Sequence, residues 1–253
     1  MIKFFRHIRK NLINEGKTSR YLKYAIGEII LVVIGILIAL QINNWNENRK
    51  LDNVELNLLY EIKSNLNESS RMLEYTLEAN KELVKGYKIL LKHVEEKKPY
   101  EESLDTIFGR ISYWNSPYFT STAYETLKSR GSEIIQNDSL KQQIVELYEA
   151  AFVYLSKDWD QSMWVDRESI IRPYYAKHFA EELDENVNKI FAKPNDYEDI
   201  LNDSNFTNIL RLSITSLDGG NLACNGINEY IKNVINAIDK ELDSRNFKLS
   251  TDD

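Results

Sequence analysis

The sequence predicts an all-α protein: one N-terminal transmembrane helix followed by an extracytoplasmic helical bundle with a long first helix. Three observations lead there. Only 4 Pro and 9 Gly occur in 253 residues, against abundant Leu, Ile, Asn, Glu and Lys, a mixture that favours helices over turn-rich β architectures. Residues 29–40 contain no polar side chain at all. From Leu59 onward, core-type positions recur every seven residues, the spacing of a packed helix face.

Residues 1–23 read as a basic amphipathic cytoplasmic lead. Ile2, Phe5, Ile8 and Leu12 share one helical face, with Lys3, Arg6, Arg9 and Lys10 elsewhere, a pattern suited to anionic lipid. Residues 24–45, YAIGEIILVVIGILIALQINNW, read as an uncleaved signal anchor. Between Ala25 and Ile42 only Glu28 and Gln41 are strongly polar, and such a helix is about 27 Å long at 1.5 Å per residue, close to hydrocarbon thickness. A soluble core helix would seldom carry basic residues massed before it and Asn43, Asn44, Trp45 and Asn46 after it. A cleaved signal needs a small-x-small site, and Ala39-Leu40-Gln41 lacks the final small residue. Trp45 fits an interfacial anchor.

Charge supports this topology. Residues 1–45 hold seven Lys and Arg against Glu15 and Glu28, whereas the rest of the chain is strongly acidic. The positive-inside rule keeps the basic end cytoplasmic and exports residues 46–253. A basic head on an acidic body is membrane patterning and excludes a nucleic-acid reading. Gly27, Gly35 and Ala39 form a small-residue stripe of the kind that lets spans approach. Glu28 borders it, either snorkelling toward the headgroups, meeting an oligomer or partner interface, or relaying protons.

The run MIKFFRHIRKNLINEGKTSRYLKYAIGEIILVVIGILIALQINNWNENRK resembles the start of an uncharacterised family of single-span membrane proteins, a domain of unknown function of Bacteroidota. TAYETLKSRGSEIIQNDSLKQQIVELY, residues 122–148, is similar to a recurrent pattern of the same family. The resemblance implies a bacterial inner-membrane protein with a periplasmic C-terminal domain, and it brings no catalytic residues.

In the exported body, Leu51 to about Glu96 read as one helix. Leu59, Leu66, Leu73, Asn80, Tyr87 and Val94 recur by sevens, with Ile62, Ser69, Thr76, Leu83 and Leu90 three positions on. Leu58, Met72, Leu77, Val84 and Leu91 widen the stripe toward a multi-helix bundle. Lys97-Lys98-Pro99 stops this helix. A second helix is expected over 101–113, then an aromatic loop, WNSPYFTSTAY, then a helix over 122–129 stopped by Gly131. Ser139 and Gln142 have capping-box spacing; Asp138-Ser139-Leu140 also resembles a short O-glycosylation signal. Helix is expected from there to Arg172, where Pro173 kinks or ends it. Residues 174–192 read as helix, 193–205 as a loop with one turn, 206–216 as helix, and 217–221 as a turn. A last helix over 222–245 buries Ile227, Ile231, Val234, Ile235 and Ile238, and Phe247 begins a frayed tail. No internal repeat or flexible linker interrupts the body.

The chemistry is sparse. His7, His93 and His178 sit in no nucleophile, di-iron, zinc or phosphate-loop motif, and each exported histidine reads as a surface or satisfied core residue. Trp159, Met163 and Trp164 interleaved with acids read first as a core stripe. The sharper reading is a ligand pocket walled by Trp114, Tyr118, Trp159, Trp164 and Tyr174, joined by Tyr113, Phe119, Tyr124 and Tyr175. There Arg167 or Arg172 would hold an anion. Cys224 reads as a buried, inert thiol, with an intermolecular disulfide in an oxidising periplasm as the alternative. No cofactor or metal is expected. The expected partners are inner-membrane lipid and a second copy or another membrane protein. The function expected is a non-enzymatic, membrane-anchored periplasmic binding or scaffold module. The alternatives are a periplasmic enzyme with its site in the aromatic region, or a proton-coupled accessory subunit using Glu28.

Overall fold

The structure, a computed structural model, describes residues 18–184 and 189–247. The amphipathic face expected in the lead (Ile2 to Leu12) lies outside the described residues. Among the described residues, eight α-helical segments and one pair of strands follow in order. They are α1 (Thr18–Glu95), α2 (Asp105–Phe108), α3 (Thr122–Arg130), α4 (Asp138–Glu146), α5 (Asp160–Asp166), α6 (Arg172–His178), β1 (Phe179–Asp184), β2 (Lys189–Pro194), α7 (Tyr197–Asn202) and α8 (Ser204–Ser244). The all-α class holds; the hairpin is its only sheet among the described residues. The chain divides into two compact units, residues 1–55 and 56–253.

In the first unit, α1 is long and apolar enough to cross a membrane, and none of its apolar window is buried within the chain. Leu22, Ile26 and the large apolar side chains from Ile29 to Ile42 are exposed, as is Trp45. Ala39 is exposed too, and Gly27 and Glu28 are half-buried. A Cβ added at Gly27 or Gly35 would meet nothing within 4 Å.

In the second unit the sevenfold stripe becomes the core. Leu59, Leu66, Leu73, Asn80, Tyr87 and Val94 are all buried, as are Ile62, Ser69, Thr76, Leu83 and Leu90. Leu58 and Val84 join them, while Met72 is left on the surface. α1 ends as expected. Lys97 takes a left-handed conformation (φ 48°), Lys98 N–H donates to His93 O at 3.1 Å and Lys97 N–H to Val94 O at 3.0 Å. This pair of bonds satisfies the last carbonyls of the helix. Gly131 (φ 95°) closes α3.

Several expectations are corrected. The helix expected over 101–113 is reduced to a 3₁₀ turn, Glu102–Leu104, and α2. The α4 cap is Asn137, whose side chain accepts from Leu140 N–H at 3.1 Å, and Ser139 is exposed inside the helix. Residues 179–184 and 189–194 pair as antiparallel strands instead of continuing a helix. Phe179 lies 5.2 Å from Phe108 and 5.7 Å from Phe206 between ring centroids, and Ala192 is fully buried. Burial on one pleated face overrides a helical composition there. Phe247 packs on the core beside Tyr60 rather than fraying.

The Leu217–Asn221 turn is absent, because α8 runs unbroken through it. Gly219 and Gly220 are helical for different reasons. A Cβ at Gly220 would lie 2.6 Å from Trp159 Nε1, inside the indole's contact envelope, whereas one at Gly219 would meet nothing. Gly220 is a close approach, not a turn. Trp159 Nε1–H also donates to Ser216 O at 3.1 Å, one turn earlier.

The stretch from 138 to 178 is helical but contains three π turns, Leu147–Ala151, Tyr154–Trp159 and Arg167–Ile171. Pro173 neither ends nor breaks it: a proline clashes with the carbonyl four residues earlier in an α-helix, and the wider π turn just before it relieves that clash.

Gly220→Ala is expected to lower stability by about 1–3 kcal/mol through overpacking. Gly219→Ala should leave it unchanged or raise it by up to about 1 kcal/mol. Denaturant midpoints of the full chain in detergent distinguish the two.

Candidate ligand cleft

Four side chains of α1 fix the segment that leads into the aromatic region. Tyr87 O–H donates to Arg110 O and, at 3.3 Å, to Tyr113 O. Asn80 donates from Nδ2 to Asn115 O at 3.0 Å and accepts from Asn115 N–H at 2.8 Å. Ser69 Oγ accepts from Thr120 N–H, and Asn65 Oδ1 from Ala123 N–H. Residues 110–123 thus sit against the bundle without regular structure over most of their length, and they present Ser112, Tyr113 and Trp114.

Facing them is the third π turn. In an α-helix, residues five apart point about 140° apart. Here Arg172 N–H bonds to Arg167 O, which stacks residue 172 over 167 and lets both reach one cleft. Tyr175 follows on α6, and Phe179 and Glu181 come from β1. Together with Ser112 and Tyr113 they line a cleft of about 350 Å³, within the range of small-molecule sites.

Arg167 is held by aromatic contacts. Its guanidinium lies 5.0 Å from the Trp164 ring centroid and 5.8 Å from that of Trp114, distances of cation–π attraction. The two indoles meet edge-on at 5.1 Å. Trp114 Nε1–H donates to Asp160 at 2.8 Å and Ser116 O–H donates to the same carboxylate. Glu168 lies 3.9 Å from Arg167 and 3.7 Å from Arg172. Among the described residues Arg167 Nε and the Tyr175 hydroxyl are buried without a hydrogen-bond partner. Burial first, then the charge of Glu181 and the neighbouring Tyr113, push the Tyr175 hydroxyl above its ordinary pKa. It therefore stays protonated, a donor.

The expected pocket residues separate. Arg167 and Arg172 line this cleft, and Trp114 and Trp164 stand behind it, holding the Arg167 guanidinium. Trp159 is instead buried in the core against α8. Tyr174 turns its hydroxyl to Asp203 at 2.8 Å and stacks on His178 at 4.3 Å. Tyr118 is 71% exposed and does not line the cleft. Phe119 stacks on Phe152, and Tyr124 on Tyr148. Ser112, Phe179 and Glu181 were not foreseen, since their place depends on the hairpin and on the α1 clamps. A neighbouring cleft of about 390 Å³, with Tyr75, Arg110 and Trp114 in its wall, shares Tyr113, but no partnerless buried polar atom belongs to it. His93 is buried and bonded to Pro99 O at 2.8 Å. No group of three or more His, Cys, Asp or Glu side chains converges among the described residues.

Fold and cleft define the class: an all-α protein with a long apolar N-terminal helix and a polar-lined cleft in its helical region. The chain belongs to a family of unknown function (DUF6090), whose sequence profile matches residues 28–218. No curated protein and no solved structure matches it.

Asp160→Ala is expected to cost about 1–3 kcal/mol by leaving two donors unpaired, and to shift tryptophan emission as Trp114 is released. Cys224 is fully buried, and burial pushes its thiol up to about 11. At pH 8 only about one molecule in a thousand carries the reactive thiolate. A thiol reagent should therefore leave the folded chain unlabelled and label it fully in denaturant.

Proposed function

We propose that this protein is a membrane-anchored, periplasmic helical binding module that performs no chemistry of its own and self-associates, or joins a membrane complex, through its span. In this reading residues 1–23 are the cytoplasmic lead, 24–45 the transmembrane signal anchor, and 46–253 the periplasmic domain of a bacterial inner-membrane protein. The observation that carries the binding role is the cleft. Arg167, with its fixed guanidinium, and Tyr175, with a buried, protonated, partnerless hydroxyl, line one space of small-molecule size, and an unmatched group of this kind carries an energetic cost.

The anchor is supported by the exposed apolar helix and by the basic residues that precede it. Apolar surface of this extent is stable against lipid or protein and costly in water. The Gly27, Gly35 and Ala39 face, open to close approach, supports association with a second copy or another span, with Glu28 at its border.

The test is fractionation of the full chain, expressed with a C-terminal tag in a Gram-negative host. The expected outcome is resistance to carbonate extraction, an intact N-terminus, and digestion of the body when protease is added to spheroplasts. Mild-detergent purification should bring a second copy or a membrane protein with it, and Gly35→Leu should weaken that association at least tenfold. Release by carbonate, or protection of the body from external protease, contradicts the reading.

A further inference from the structure

Charges of both signs line the cleft, Arg167 and Arg172 on the helical stretch and Glu181 on β1. Arg167 and Arg172 share one carboxylate, Glu168, at 3.9 and 3.7 Å, too long for either pair to be a well-formed bidentate contact. Glu181, also in the wall, is exposed on β1 and forms no ion pair among the described residues; the neighbouring Lys193 pairs with Glu182 instead, at 3.3 Å. Tyr175 lines the same cleft, 9% exposed, its hydroxyl without a partner.

We propose that the cleft binds a zwitterionic small molecule of the α-amino acid type, its carboxylate on Arg167, Arg172 and the Tyr175 hydroxyl and its ammonium on Glu181. The proposal rests on the binding-module reading and names the ligand class for the same site.

The argument is one of complementarity. Guanidinium forks match a carboxylate in geometry and charge, and a neutral phenol adds a third donor. A simple anion would gain those contacts but meet repulsion from Glu181, and a doubly charged phosphate would meet more. With Glu168 and Glu181 both counted, the cleft's two arginines are balanced. A ligand of zero net charge but separated poles leaves neither set unmatched, the condition under which buried charge is least costly. Tyr113 and Phe179 also line the cleft and supply apolar surface for the carbon body of such a ligand. Arg167, fixed between Trp114 and Trp164, has little freedom left to lose on binding.

The experiment uses the full chain in detergent micelles. Each of the twenty L-amino acids is titrated by calorimetry, with tryptophan emission followed in parallel. At least one should bind with a Kd below about 1 mM, equivalent to about −4 kcal/mol. Its N-acetyl derivative and its carboxamide should each bind at least tenfold more weakly to the unmodified protein. Tyr175→Phe and Arg172→Met should weaken the parent amino acid tenfold or more while keeping the wild-type circular dichroism. Glu181→Gln should weaken the amino acid but not the N-acetyl derivative.

Binding of the N-acetyl derivative as tight as its parent overturns the proposal, because the site is then a plain carboxylate site. So does the absence of binding by all twenty. If the chain nonetheless resists carbonate and carries another small molecule through purification, only the ligand class falls and the binding-module reading stands. Release of the chain by carbonate removes that reading as well.

Discussion

Hydrogen bonds from polar side chains of α1 to the backbone of residues 110–123 hold the candidate site together. Asn80 is nearly fully buried on the apolar stripe and uses both ends of its amide on Asn115. Tyr87 takes two carbonyls, and Ser69 and Asn65 accept from Thr120 and Ala123. Buried polar groups destabilise a core unless every one is matched. Here the matching partner is the main chain of a segment that would otherwise be costly to order. The clamps make Tyr113 a fixed wall and set Trp114 against Arg167. A site on a clamped segment starts closer to its bound form, and binding then loses less conformational freedom.

The opposing wall depends on backbone geometry. Three π turns lie between 147 and 171, and serine hydroxyls attend them. Ser156 donates to Phe152 O, Ser162 to Trp159 O and Ser169 to Val165 O. Each bond gives a carbonyl an alternative donor where the regular ladder is interrupted. The last π turn admits Pro173 and brings Arg167 and Arg172 to one cleft. Such insertions in helices often coincide with functional positions.

Much of the fold was legible because α1 is long and strongly periodic. Its buried positions, the stop at Lys97 and the Gly131 boundary follow directly from spacing and turn chemistry. Asn80 and Ser69 looked like flaws in the stripe, and only the structure shows what they hold. Gly219-Gly220 carries a turn signal, but the competing fact, a tryptophan 61 positions earlier in the chain pressed against Gly220, has no local trace. The hairpin was missed for the same reason: burial of Phe179 and Ala192 against α2 and α8 is a tertiary effect acting on a helical composition. The residue types of the cleft were legible, two arginines among aromatics. Which aromatics would meet them was not, because Trp159 and Tyr174 lie on the same helical stretch but on faces that the π turns rotate elsewhere.

The central claim is that α1 holds residues 110–123 in one arrangement, and amide hydrogen exchange on the full chain in detergent measures this directly. The Asn115 and Thr120 amides lie outside any helix or strand, and Ala123 is in the first turn of α3, where amides lack a partner within the helix. The account predicts that all three exchange as slowly as the neighbouring amides inside α3 and α4, since each donates to a side chain of α1. Exchange at the rate of an unstructured loop would contradict it.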